Sequence, residues 1–170
     1  AVVAAWHNDH GVAVWWGHGS SQSATRAVWA SDDGDGVPEP GEVLTPPFIT
    51  SQDFNAMQAG AHTFAFMCAC YNATPEDPNH LSFAALFSGA MTTVGSTRLS
   101  YYAQGPFAVT GARTNTDLAY AYAAELVTTG ASAGRALFEA KTQLSDLYGW
   151  QAFSWQNLMD FNLYGDPSLS

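Results

Sequence analysis

Hydrophobic residues in this chain fall in short, nearly continuous runs separated by polar or glycine-rich breaks. The first run, residues 11–16, is rich in strand-favouring side chains and stops at Gly17-His18-Gly19-Ser20-Ser21, predicting a buried strand that opens into a loop. A polar stretch follows to about Trp29, and then an acidic loop. Ser51 is placed to cap a short helix over residues 52–59, with Gly60 in the stopping position. Residues 62–70 are apolar almost throughout and predict a second buried strand, ending in the polar Tyr71-Asn72-Ala73-Thr74-Pro75. Residues 81–88, closed by Gly89, predict a helix, and residues 90–95 a third strand leading into Ser96-Thr97-Arg98. The last third is more helical. Asn115 is placed to cap residues 116–129 and Ser132 to cap residues 133–147, while residues 161–164 predict a final strand before Gly165-Asp166-Pro167.

Apolar strands alternating with helices imply an α/β domain, its mostly parallel sheet covered by helices on both faces. The 170 residues make one domain. Because a doubly wound sheet needs more strands than these to bury its edges, its N-terminal strands are expected upstream of Ala1, in a segment cleaved off or omitted. The competing expectation is a compact three- or four-stranded domain complete in itself.

Composition narrows the function. Only 12% of residues are charged and 47% are apolar, which excludes a disordered chain, and no apolar run is long enough to span a bilayer. Five basic residues against 15 acidic ones leave no surface for nucleic acid or an anionic membrane. Cys68 and Cys70, the only cysteines, are too close for a good disulfide, so each is either core or a reactive thiol. Cys68 lies within the apolar run and is expected to be inert core. Cys70 and His18 both stand where a predicted strand gives way to a loop, the place where parallel sheets gather functional groups. A thiol is mostly protonated at neutral pH, and a nearby imidazole raises its thiolate fraction, so the pair points to nucleophilic catalysis.

Four blocks, Trp16-Gly17-His18-Gly19-Ser20, Ala69-Cys70-Tyr71-Asn72, Ala90 through Gly95-Ser96-Thr97, and Leu163-Tyr164-Gly165-Asp166-Pro167-Ser168-Leu169, together resemble the gingipain family of secreted cysteine peptidases. The resemblance spans nearly the whole chain. It implies a caspase-like fold, with His18 as catalytic histidine, Cys70 as nucleophile, and the backbone N–H groups of Gly19 and Cys70 as an oxyanion hole. It also implies a secreted or cell-surface location, zymogen processing, a peptide or protein substrate, and an upstream fragment of the same precursor as partner. Ala73, where the family usually has glycine, and Met67-Cys68 depart from the family pattern. By the same alignment Ser96, Thr97 and Tyr101 fall where these peptidases line the first specificity pocket, with Arg98 near enough to favour an acidic side chain.

The acidic loop supports a second expectation. With Gly36 as the turn glycine of an EF-hand-like frame, Ser31, Asp33, Asp35, the Val37 carbonyl, Glu39 and Glu42 occupy the ligand positions of a Ca²⁺ loop over residues 31–42. Structural Ca²⁺ is therefore expected, and no organic cofactor. His7, His10, His18 and Cys70 offer zinc-ligand chemistry, but they lack the spacing of known zinc motifs. Asp9 is an unpromising orienting acid, nine residues before His18. His62 and His80 read as structural or surface residues. The expected activity is hydrolysis of peptide bonds by a cysteine endopeptidase. The alternative is a non-catalytic, calcium-stabilised adhesion or binding module with the same fold.

Overall fold

The computed structural model describes residues 2–6, 8, 10–57, 62–102, 114–150 and 152–170. The strands are β1 (Val12–Trp16), β2 (His18–Ser20), β3 (Ser23–Thr25), β4 (Val28–Trp29), β5 (Val43–Leu44), β6 (Pro47–Thr50), β7 (Thr63–Cys68), β8 (Ala90–Ser96) and β9 (Phe161–Gly165). The helices are α1 (Val2–Trp6), α2 (Ser51–Ala56), α3 (Leu81–Phe87), α4 (Asn115–Ala124), α5 (Ala133–Tyr148) and α6 (Ala152–Asp160), and a π-helical turn, Glu125–Thr129, continues α4. His7, Asp9, Gly60 and the end of the expected helix at 52–59 lie outside the described residues.

The main sheet has the order β1-β7-β8-β9, with β1, β7 and β8 parallel and β9 antiparallel to β8. Every residue of β7 is buried, because both of its faces are covered. Successive strand side chains point to opposite faces, so β7 feeds two cores. Phe66 and Cys68 pack with Val94, Leu118 and Tyr122 of α4, Leu137 and Leu144 of α5, and Phe161. Ala65 and Met67 pack with Trp6, Ile49, Phe54 of α2, and Leu81 and Ala85 of α3. This is the mostly parallel, helix-covered sheet of a caspase-like fold, and the continuous apolar runs follow from burial on both sides.

Some local expectations are corrected. Thr50, not Ser51, caps α2, because its hydroxyl and N–H pair reciprocally with Asp53 in a capping box. Thr114, not Asn115, precedes α4, and its N–H donates to the Asp117 carboxylate at 3.2 Å. The polar stretch after β1 forms a three-stranded antiparallel sheet, β2-β3-β6, whose tight turn at Ser21 and Gln22 is set by the pairing of Ser20 with Ser23. The tip of this hairpin is tied to two helices. The N–H of Leu81, first in α3, donates to the Ser21 carbonyl at 2.6 Å, and that of Ser51, first in α2, donates to the Gln22 carbonyl at 2.9 Å.

Candidate active site

The parallel pairing of β1 with β7 sets the site. Val12 pairs with Phe64 and Trp16 with Cys68, and beyond the paired strands Asn72 Nδ2 still bonds the Ser20 carbonyl at 2.6 Å, across the same offset of 52 residues. His18 and Cys70 are separated by that offset too. The two chains therefore leave the sheet side by side, and the spacing seen in the sequence is the register of the strand pair. Gly17 N–H donates to the Cys68 carbonyl at 3.2 Å, and Asn72 Nδ2 also donates to the Ser23 carbonyl at 3.0 Å. Asn72 is fully buried, so its amide fastens the hairpin that carries His18 onto the turn that carries Cys70.

Contact at the crossing is close. A Cβ at Gly19 would overlap the Cys70 carbonyl oxygen and stand 2.8 Å from Asn72 Nδ2 and 2.9 Å from Ala69 Cβ, so only glycine fits there. Tyr71, next to Cys70, is held at φ 62°, the left-handed region that side chains other than glycine rarely adopt. Its N–H donates to the Arg98 carbonyl at 3.1 Å, and the Ala73 N–H to the Ser96 carbonyl at 3.0 Å, stitching the turn to the chain that leaves β8. The Cys70 N–H makes no hydrogen bond among the described residues.

A third segment touches both residues. The Ser100 N–H lies 3.4 Å from Cys70 Sγ, and the Tyr102 ring meets the His18 ring edge-on with centroids 6.1 Å apart. Two residues of extended chain span at most about 7 Å, so imidazole and thiol flank one short stretch. His18 is exposed and Cys70 partly so. Cys68 is different: it is sealed in the core, donates to the Asn115 carbonyl at 3.7 Å, and has its thiol pushed up by burial. It is the inert cysteine expected.

The residues assigned to substrate are held by bonds within the chain. Ser96 has no exposed surface and donates to the Arg98 carbonyl at 2.7 Å, so its hydroxyl is withdrawn from a substrate. Thr97 is tied through N–H and hydroxyl to the Asp160 carbonyl. Tyr101 is half-buried, stacks against Phe153 with centroids 4.2 Å apart, and is clamped by Asn157, which accepts its N–H and donates to its carbonyl, each at 2.9 Å. Arg98 is engaged by the Glu76 carboxylate at 2.6 and 3.1 Å. That forked hydrogen bond holds the Glu76 carboxyl below its usual range and the guanidinium above its own, so the expected attraction of Arg98 for an acidic substrate is already answered from within the chain. Ser100, Tyr102, Phe153 and Asn157 also stand in this neighbourhood and carry no mark of it in the sequence.

In the acidic loop, ligand oxygens of Asp32, Asp33 and Asp35 lie within 4.8 Å of one another. One oxygen of each accepts loop N–H groups: Asp32 from Gly34 and Gly36, Asp33 from Asp35, Asp35 from Val37. Glu42 is buried and turned inward, accepting from the N–H of Asp33 at 2.6 Å, of Glu39 at 3.4 Å and of the Trp29 indole at 3.2 Å. Ser31, Val37 and Glu39 are exposed along the loop. The donor set is all oxygen and fits a hard cation. It differs from the expected frame in bringing in Asp32 and in using Glu42 as a brace.

His80, buried, caps α3 by accepting the Phe83 N–H on Nδ1 at 3.3 Å, and packs its ring against Phe83 and Tyr164. Among the described residues, no helix is long and apolar enough to cross a membrane.

A family model, peptidase family C25, matches residues 1–170. A solved structure titled "Structure of Protease" superposes with a TM-score of 0.63 at 16% identity, covering 98% of this chain and 36% of that one. This chain thus spans about a third of that protein's length, and the likeness is one of fold. No curated protein matches the sequence.

Proposed function

The chain belongs to peptidase family C25, the gingipain family, and on that premise we propose that it carries the catalytic pair of a secreted cysteine endopeptidase. Cys70 Sγ attacks the carbonyl carbon of the scissile peptide bond. His18 takes the thiol proton and then delivers it to the leaving amine, and water hydrolyses the resulting thioester. The N–H groups of Gly19 and Cys70 hold the oxygen on which charge develops. The observation that supports this reading is the common register that sends His18 and Cys70 out of β1 and β7 together.

Tyr101, with Phe153 against it and Tyr102 beside His18, lines the substrate side, and Ser96 and Thr97 shape the backbone behind. With Arg98 paired to Glu76, such a wall favours aromatic or aliphatic side chains over acidic ones. Asp32, Asp33 and Asp35 would hold Ca²⁺, whose charge would stiffen the 31–42 loop when bound.

The test is hydrolysis of a mixed peptide library by the wild-type protein and by Cys70→Ala. Loss of all cleavage in the variant, with fast iodoacetamide labelling of wild-type Cys70 near neutral pH, supports the reading. Cleavage by the variant overturns it.

A further inference from the structure

We propose that Ser100 and Asn115 form a hydrogen-bond relay that stabilises the Cys70 thiolate, an inference resting on the reading of Cys70 as nucleophile. Both residues are enclosed, Ser100 at 5% and Asn115 at 2% exposure. Two donors of Ser100 face the sulfur, its N–H at 3.4 Å and its hydroxyl at 3.8 Å. A hydroxyl carries one proton, so whether Ser100 Oγ donates to the sulfur depends on its other neighbour. That neighbour is Asn115, whose Nδ2 donates to Ser100 Oγ at 3.2 Å. In this orientation the amide oxygen accepts from the Thr116 hydroxyl at 3.5 Å. With an N–H occupying one of its lone pairs, the Ser100 hydroxyl is free to point its proton at Cys70.

Each protonation state of the sulfur has its own partner. The neutral thiol donates to the Ser100 carbonyl at 3.5 Å, whereas the thiolate accepts from the Ser100 N–H and hydroxyl. Donors aimed at an ionised acceptor bind it about twice as strongly as a neutral one. The relay therefore tilts the sulfur toward its nucleophilic form, and does so from the side opposite to general-base chemistry: it moves no proton. Ser100 touches the reacting atom, and Asn115 is a positioning residue acting through it.

The experiment is the rate of Cys70 alkylation by iodoacetamide as a function of pH, with Cys70→Ala giving the background from Cys68. Ser100→Ala and Asn115→Ala are each expected to move the midpoint of the profile to higher pH and to slow labelling at pH 7 about tenfold, leaving the high-pH plateau unchanged. The double variant should be no slower than Ser100→Ala alone, because the Asn115 effect passes through that hydroxyl. Asn115→Asp keeps the shape, suits the first turn of a helix, and turns the Ser100 hydroxyl away from the sulfur, so it too should slow labelling. Unchanged midpoints, or losses that multiply in the double variant, overturn the relay. The readout is the thiol itself, so cleavage persisting in Cys70→Ala would sink the peptidase reading and still leave the relay measured.

Discussion

Gly19 lies against the Cys70 carbonyl with no room for a side chain between them. Gly19→Ala must push the histidine hairpin off the cysteine turn or twist the Asn72 amide away. The expected result is a destabilisation of about 1 to 3 kcal/mol from overpacking and a loss of peptide hydrolysis larger than the loss of folded protein explains. Thermal melts paired with turnover measurements check it; full activity in a folded Gly19→Ala protein would remove the contact from the site.

Asn72 is the second tether. Its amide satisfies the carbonyls of Ser20 and Ser23 and is fully buried. Asn72→Leu keeps the bulk and removes both donors, so about 2 to 3 kcal/mol of stability should be lost. With the hairpin loosened, kcat should fall more than KM rises. A melting temperature equal to wild type would show that the two carbonyls find other partners.

His80 should give the protein a pH-dependent stability. Burial holds its imidazole below the ordinary value of 6.5, outweighing the neighbouring Asn72 backbone and the Asp77 carboxylate, which pull upward. The unfolded chain then binds the proton more readily than the folded one, so stability is full above about pH 6.5 and falls as the pH drops through the acid side of that value. Protonation at Nδ1 would also remove the acceptor that caps α3. Melting temperatures between pH 7 and 5 should decline in the wild type and decline less in His80→Asn, which caps without titrating there. Parallel slopes would assign the acid sensitivity elsewhere.

The 31–42 loop should respond to Ca²⁺. At a free concentration about a hundred times its Kd, the ion adds about 2.7 kcal/mol to the folded state, so the melting temperature should rise with Ca²⁺ and fall with chelator. Asp33→Asn together with Asp35→Asn should abolish the response. Glu42→Gln should destabilise the loop with or without the ion, by presenting an NH₂ group to N–H donors. A melt indifferent to Ca²⁺ would leave the cluster as a solvated turn held together by its own backbone.

How legible these features were depends on where the signal lay. β7 could be read because burial on two faces forces a long apolar run, β8 because its strand-favouring Thr92, Thr93 and Val94 follow Gly89, and the end of α3 because that glycine closes it. α6 was not readable, since its polarity is inverted: Ser154 and Asn157 are buried while Phe153, Trp155 and Met159 face outward. The β2-β3 hairpin was hidden for a related reason, being built from Ser, Gln and Gly whose cohesion comes from backbone bonds and the distant Asn72. His18 and Cys70 stood out by residue type at strand exits, and Gly19 only through the family resemblance. Ser100 carried no such mark: only folding brings its N–H to the sulfur.

The constant offset between β1 and β7 divides the intervening chain into two kinds of position. Length changes confined to the acidic loop would alter the numerical gap between imidazole and thiol while leaving their alignment intact, so that gap is a poor signature for finding relatives. Adding or deleting one residue between 12 and 18, or between 64 and 70, would instead rotate one partner to the opposite side of the sheet. Evolution can rewrite the first kind of segment freely, whereas the second tolerates substitution but not insertion.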